Sequence, residues 1–182
     1  MFDGLTMLRR RTMEKHRLLE NHGIFSRMLA GDLTAAEYGD FLATLARFYG
    51  GIEPWLLRQL HGHPHAPLYR RRLPLLSADL RALGLAVPHP SVTPDLPPSG
   101  TAVLGMIYAI EGSTHGGQVI AAHCRKILGD PVLPAMRYLS ELGPDAVWGS
   151  ILQALRDELA CGHDVELAAS GVACVFDGLM KA

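Results

Sequence analysis

Residues 34–60 read TAAEYGDFLATLARFYGGIEPWLLRQL. Thr34 followed three residues later by Glu37 is a capping-box pattern, in which the threonine hydroxyl and the glutamate satisfy each other's backbone amides at a helix start. Behind it, Tyr38, Phe41, Leu42, Leu45, Phe48, Tyr49 and Ile52 recur at intervals of three and four. That period is an apolar helical stripe, and it predicts one long helix from about Ala35 to about Leu60. Gly50-Gly51 and Pro54 predict a kink, because glycine loosens the backbone and proline removes a donor.

Working outward, residues 5–22 set Leu5, Leu8, Thr12, Met13 and Leu19 at helical spacings among charges. A shorter helix is expected from Leu75 to Leu83, stopped by Gly84. Residues 84–100 hold Pro88, Pro90, Pro94, Pro97 and Pro98, which exclude regular structure. Neither flank alone has enough apolar helix to close a core, so this reads as an internal crossing loop and 1–182 as a single domain. Ser99 is placed to cap a helix from Thr101 to Leu128, ended by Gly129-Asp130-Pro131. Pro144 opens a helix over 145–160 and Asp164 caps one over 165–181. No segment alternates with period two beside hairpin residues. The fold class is all-α, with about seven helices.

Composition removes several function classes. Of 182 residues, 48% are hydrophobic and 19% charged, which excludes a disordered chain. Lys+Arg 17 against Asp+Glu 18 leaves a net charge of -1, without the basic excess of a nucleic-acid binder. No apolar run approaches the roughly 18 residues of a membrane span. Arg9-Arg10-Arg11 is not followed by the apolar stretch of a signal peptide, so a cytoplasmic protein is expected. Cys124, Cys161 and Cys174, without a CxxC pair, read as reduced thiols and small buried hydrophobes.

Two stretches carry chemistry. In the first helix, Arg9, Thr12, His16 and Glu20 share a face. A histidine that ligates a metal usually has its second ring nitrogen held by another group, and Glu20 is one turn on. The plainer reading is an i,i+4 pair on a solvated helix. The second stretch is Tyr108-Ala109-Ile110-Glu111-Gly112-Ser113-Thr114-His115-Gly116-Gly117-Gln118-Val119. Each glycine inside a helix costs on the order of 1 kcal/mol relative to alanine. Gly112 and Gly116 stack into a strip of bare backbone, suited either to a flat ligand or to close helix packing.

Together, Leu8…Thr12…His16…Glu20 and Glu111–Val119 resemble the proximal and distal helix motifs of the heme oxygenases, most closely the bacterial branch associated with phytochromes. The resemblance implies His16 as axial ligand of the heme iron, with Glu20 behind it and Thr12 in the same motif. It implies Gly112, Ser113, Gly116 and Gly117 as the wall of a kinked distal helix, with Tyr49 and Phe176 lining the pocket. Arg9 would meet the propionates. Heme b would be substrate and cofactor, cleaved with dioxygen and reducing equivalents to biliverdin, carbon monoxide and ferrous iron. An electron donor such as ferredoxin or another reductase is implied, and a bacterial phytochrome as recipient of biliverdin. The alternative is a heme carrier or sensor without turnover. A third reading, a fold relative without heme such as a thiamin-degrading enzyme, is opposed by His16.

The chain also departs from the family. Ser113 stands where many members carry an aspartate that organises distal water; serine holds water but carries no charge. Its hydroxyl, His115 and backbone carbonyls near Gly112 are the candidates for holding that water. Near Trp148 and Leu152 no basic residue matches the family's propionate anchors, and Arg156 is a weak substitute. Elsewhere, His61, His63 and His65 cluster without a neighbouring carboxylate in sequence and read as a solvated turn before a metal site. Arg70-Arg71-Arg72 reads as a solvated basic turn or a dock for an acidic donor.

Overall fold

The computed structural model describes residues 3–90, 99–143, 147–160 and 162–182. Eight α-helices lie among them: α1 (Gly4–Glu20), α2 (Gly23–Ala30), α3 (Ala35–Leu60), α4 (Leu73–Ala82), α5 (Gly100–Leu128), α6 (Arg137–Glu141), α7 (Trp148–Glu158) and α8 (Gly162–Lys181). No described residue is in a strand. The fold is all-α.

The capping box at the head of α3 forms as the sequence predicts. Glu37 N–H donates to Thr34 Oγ1 at 3.3 Å, and Thr34 N–H donates to the Glu37 carboxylate at 2.7 Å. Gly50, Gly51 and Pro54 lie inside the one helix. Its buried stripe runs from Tyr38 to Leu60. Ser99 caps α5, its hydroxyl accepting from Ala102 N–H.

Other boundaries differ. The first helix stops at Glu20, with Asn21 as its C-cap, whose side-chain amide donates to Arg17 O at 2.8 Å. Gly23, at φ +46°, then turns the chain into α2, which sequence reasoning missed. Eight residues are too short for a periodic stripe to show. α4 begins two residues earlier than expected, with Pro74 in its first turn. α8 starts at Gly162, so Asp164 lies in the first turn, where its charge meets the helix dipole, instead of capping the end. Pro144, Cys161 and residues 91–98 of the proline-rich loop lie outside the described residues.

The five-residue α6 was also not foreseen. It is held from outside: the buried Asp79 carboxylate of α4 accepts Arg137 N–H at 3.0 Å and Tyr138 N–H at 2.8 Å, occupying two amides that a helix start leaves unpaired.

α5 and α8 approach backbone to backbone. A Cβ on Gly105 would run into the Ala168 carbonyl, and one on Gly171 into the Ala102 carbonyl. These two glycines therefore serve packing. α1 lies against α8, and the apolar core runs from Leu5 to Leu179.

The Arg70–Arg72 turn is neither a dock nor a solvated turn. Only Arg71 is exposed, at 60%; Arg70 is 20% and Arg72 1% exposed. The reason is two glutamates, Glu53 of α3 and Glu111 of α5, each 1% exposed and in need of partners. Glu111 receives Arg70 Nη2 at 2.6 Å and Arg72 Nη1 at 2.5 Å. The histidine turn also has a carboxylate that its sequence does not show: His65 Nε2 lies 2.5 Å from Glu158 Oε1 of α7. No group of three metal-ligating side chains occurs among the described residues. Cys124 is buried and Cys174 half-buried.

Candidate functional site

A cavity of about 360 Å3 opens where α1, α2 and α3 face α5 and α6. α1 contributes His16, Leu19 and Glu20; α3 contributes Phe41, Leu45 and Tyr49. The opposite wall is Gly112, Ser113, His115, Gly116, Gly117 and Ile120 of α5, with Tyr138 and Leu139 of α6. Phe25 and Leu29 of α2 and Leu179 of α8 complete it. A second cavity of about 230 Å3 shares His16, Tyr49, Gly112 and Ser113 and adds Tyr108, Trp148, Val175 and Phe176.

The amphipathic pattern of α1 aims His16. Leu5, Leu8 and Thr12 are buried, and one turn beyond Thr12 the same face emerges into the cavity. His16 Nδ1 lies 3.5 Å from Glu20 Oε1, and both side chains are about half exposed. That contact leaves Nε2 available to a ligand. The ring meets Phe176 edge-on, with centroids 5.5 Å apart. Thr12 does not line the cavity; its hydroxyl donates to Leu8 O at 2.9 Å inside the helix. Arg9 is exposed and does not line it either.

The α5 wall owes its shape to missing side chains. At Gly116 an added Cβ would meet nothing within 4 Å, so that position faces open cavity. At Gly112 it would press on the Trp148 ring at 3.2 Å, and at Gly117 it would touch Leu139 at 3.7 Å. The wall is also tied to itself. Ser113 donates to Ile110 O at 2.7 Å, Thr114 to Glu111 O at 2.6 Å, and His115 Nδ1 lies 3.1 Å from Gly112 O. The carbonyls expected to be open for water near Gly112 thus already accept side-chain bonds. His115 is exposed at the rim, its ring edge-on to Trp148 with centroids 5.1 Å apart.

Tyr138 and Trp148 were not anticipated as cavity residues. Tyr138 sits in a stretch without helical period; Asp79 of α4 holds its backbone N–H, and its side chain packs against the core. Burial pushes the Tyr49 hydroxyl well above the usual tyrosine range and raises that of Tyr138 as well, so both keep their protons near neutral pH. No arginine or lysine lines either cavity among the described residues, and Arg156 is exposed on α7.

The heme oxygenase family profile matches residues 4–86, which hold α1 to α4 with His16 and Tyr49 but not the glycine wall. A heme oxygenase of Xanthomonas campestris pv. campestris (strain 8004) is 38% identical over 100 residues, 53% of this chain. Over its first half the chain is similar to the heme oxygenase family. The similarity to the Xanthomonas protein spans 58% of that relative's length. The cavity has chemistry that fits a heme: an imidazole with one nitrogen available, an apolar slot, and a helix whose glycine leaves room. No described helix is long and apolar enough to cross a membrane.

The glycines make opposite predictions. Gly116→Ala should stabilise the apo-protein by up to about 1 kcal/mol, since the methyl meets no atom, yet weaken the heme binding proposed below by filling the cavity. Gly105→Ala should lower the melting temperature outright, because the Ala168 carbonyl must move. Melting curves of the apo-proteins and heme titration of the Soret band read both. Equal heme affinity in Gly116→Ala would turn the glycine strip into mere packing.

Proposed function

We propose that the chain acts as one heme-oxygenase-like unit over residues 1–182, which binds one heme b and cleaves it with dioxygen and reducing equivalents to biliverdin, carbon monoxide and ferrous iron. The observation that carries the reading is His16, backed by Glu20, facing the Gly112–Gly117 wall across an apolar cavity.

In this reading His16 Nε2 would hold the heme iron, and Glu20 would fix the ring's orientation through Nδ1. Phe176 supports the ring from its side. Bound heme supplies the reactivity toward dioxygen; the chain supplies orientation and proton control. Gly116 lets the helix backbone crowd the open face, and Gly112 seats Trp148 beside it. The Tyr49 and Tyr138 hydroxyls would offer protons to water at the distal wall and the Ser113 oxygen, its proton committed to Ile110 O, would accept from it, with His115 at the rim as a route to solvent. Arg9 is the nearest candidate for the propionates from outside the cavity. The electron donor is a ferredoxin or another reductase, the place of action the cytoplasm, and the acceptor of biliverdin a bacterial phytochrome.

The test is aerobic turnover of the heme complex with ascorbate or reduced ferredoxin, followed by chromatography of the pigment. Biliverdin and carbon monoxide are expected. Ser113→Ala should keep the heme spectrum and lose part of the rate. A wild-type complex that cycles between ferric and ferrous forms without pigment release would make the protein a carrier or sensor.

A further inference from the structure

The two cavities meet at His16, Leu19, Tyr49, Gly112, Ser113 and Leu179, and beyond these shared residues their ends differ. The first continues past the carboxylate of Glu20 and the imidazole of His115. The second is walled by Tyr108, Trp148, Val175 and Phe176, aromatic and aliphatic side chains without a carboxylate or a cation.

Trp148, the first residue of α7, is built into that wall. Its ring stacks on Tyr108, with centroids 5.3 Å apart and planes 21° from parallel, and it meets His115 edge-on with centroids 5.1 Å apart. It also covers Gly112, where a Cβ would approach the indole to 3.2 Å. Residues 108, 112 and 115 are spaced four and three apart, so they share one face of α5, and the missing side chain at Gly112 lets the ring lie against it. Ile151 and Leu155, both buried, anchor the helix that carries the indole.

Heme b has two unlike edges. One bears two carboxylates, the other only methyl and vinyl groups. A carboxylate pressed against Tyr108 and Trp148 would give up water without gaining a cation, since among the described residues no arginine or lysine lines either cavity. The methyl and vinyl edge would bury apolar area there instead. His16 borders both cavities, so a macrocycle held by it is offered both ends, and the wall tells its edges apart.

We propose that Trp148, stacked on Tyr108 and seated on Gly112, is a specificity-determining residue that takes the carboxylate-free edge of the porphyrin and so fixes how the macrocycle is turned in its own plane. The inference deepens the heme-binding reading and rests on it. The carboxylates then lie on the side of the first cavity, away from α7.

The test is the proton magnetic resonance spectrum of the cyanide-bound ferric heme complex, in which the shifts of the ring methyl groups report how the macrocycle is turned relative to the axial imidazole. The wild type should give one dominant set of methyl resonances. Trp148→Ala removes the wall and should add a second set of comparable intensity. Trp148→Arg puts a cation where the indole was and should make the turned form, with a carboxylate toward α7, the major one. Trp148→Phe keeps a ring to stack on Tyr108 and should keep the wild-type pattern. The dimethyl ester of heme, which lacks the carboxylate charges, should lie in the wild type as heme does, because the wall grips the other edge. An unchanged pattern in Trp148→Ala or in folded Trp148→Arg overturns the proposal. So does a Trp148→Phe pattern altered as much as that of Trp148→Ala, a wild type with two comparable sets, or an ester turned away from the orientation of heme. Should Trp148→Arg not fold, Trp148→Ala decides by itself. A wild type without a histidine-ligated Soret band instead overturns the heme reading beneath it.

Discussion

His16→Ala should fold normally and lose the imidazole proposed to hold the heme iron. Alanine is the best helix former, and the half-exposed ring contributes little packing beyond its contact with Phe176. Heme should bind more weakly, with a spectrum no longer that of a histidine complex. Heme degradation should fall by more than about 100-fold, since losing even a ligand's hydrogen-bonding partner costs roughly 10–100-fold. Added imidazole can occupy the vacated space and should restore part of the spectrum. Glu20→Gln should have the smaller effect, because the amide still reaches Nδ1. A visible titration with and without imidazole reads all three. An unchanged wild-type spectrum in His16→Ala would move the ligand elsewhere, with His115 and His123 next to be replaced.

The largest effect on stability is expected at Glu111. It is 1% exposed and takes Arg70 N–H, Arg70 Nε, Arg70 Nη2 and Arg72 Nη1. Glu111→Gln keeps the shape and removes the charge, leaving Arg72 buried without its counter-ion. Breaking a buried pair from one side costs about 3–5 kcal/mol, so the apo-protein's melting temperature should drop by roughly 6–20 °C. The same pair makes the wild type acid-sensitive. Burial works to raise the Glu111 carboxyl, but the bonds and charges of Arg72 and Arg70 outweigh it and hold it below the ordinary 4.5. A carboxyl depressed on folding stabilises the native state above its unfolded value and loses that contribution as pH falls through the folded one. The gap in melting temperature between wild type and Glu111→Gln should therefore be full near neutral pH and close as pH drops below 4.5. A gap that stays constant would mean that the effect is packing and not charge.

Helices with long periodic stripes and standard caps were legible in the residues themselves. Thr34 and Glu37 marked the head of α3, and Ser99 marked that of α5, because capping is a contact within one turn and needs nothing from the rest of the chain. The i,i+4 relation of His16 to Glu20 is likewise local. So is the clustering of Gly112, Gly116 and Gly117 on α5, and these residues do meet at one cavity.

What sequence alone could not separate was the use of each glycine. Gly105 and Gly112 lie seven residues apart on the same helix, yet one meets the α8 backbone and the other the Trp148 ring. Arg70 and Arg72 look like surface charge until α3 and α5 bring Glu53 and Glu111 beneath them, 19 to 41 residues away in sequence. Tyr138 lines the cavity from α6, whose start is held by Asp79, 59 positions earlier. The residues themselves determined the long capped helices, the His16–Glu20 pair and the bare strip of α5, since those depend on neighbours within a turn or two. Tertiary structure decided which polar groups are buried and which hydroxyls stand behind the strip, because burial and ion pairing depend on partners that a one-dimensional period does not encode.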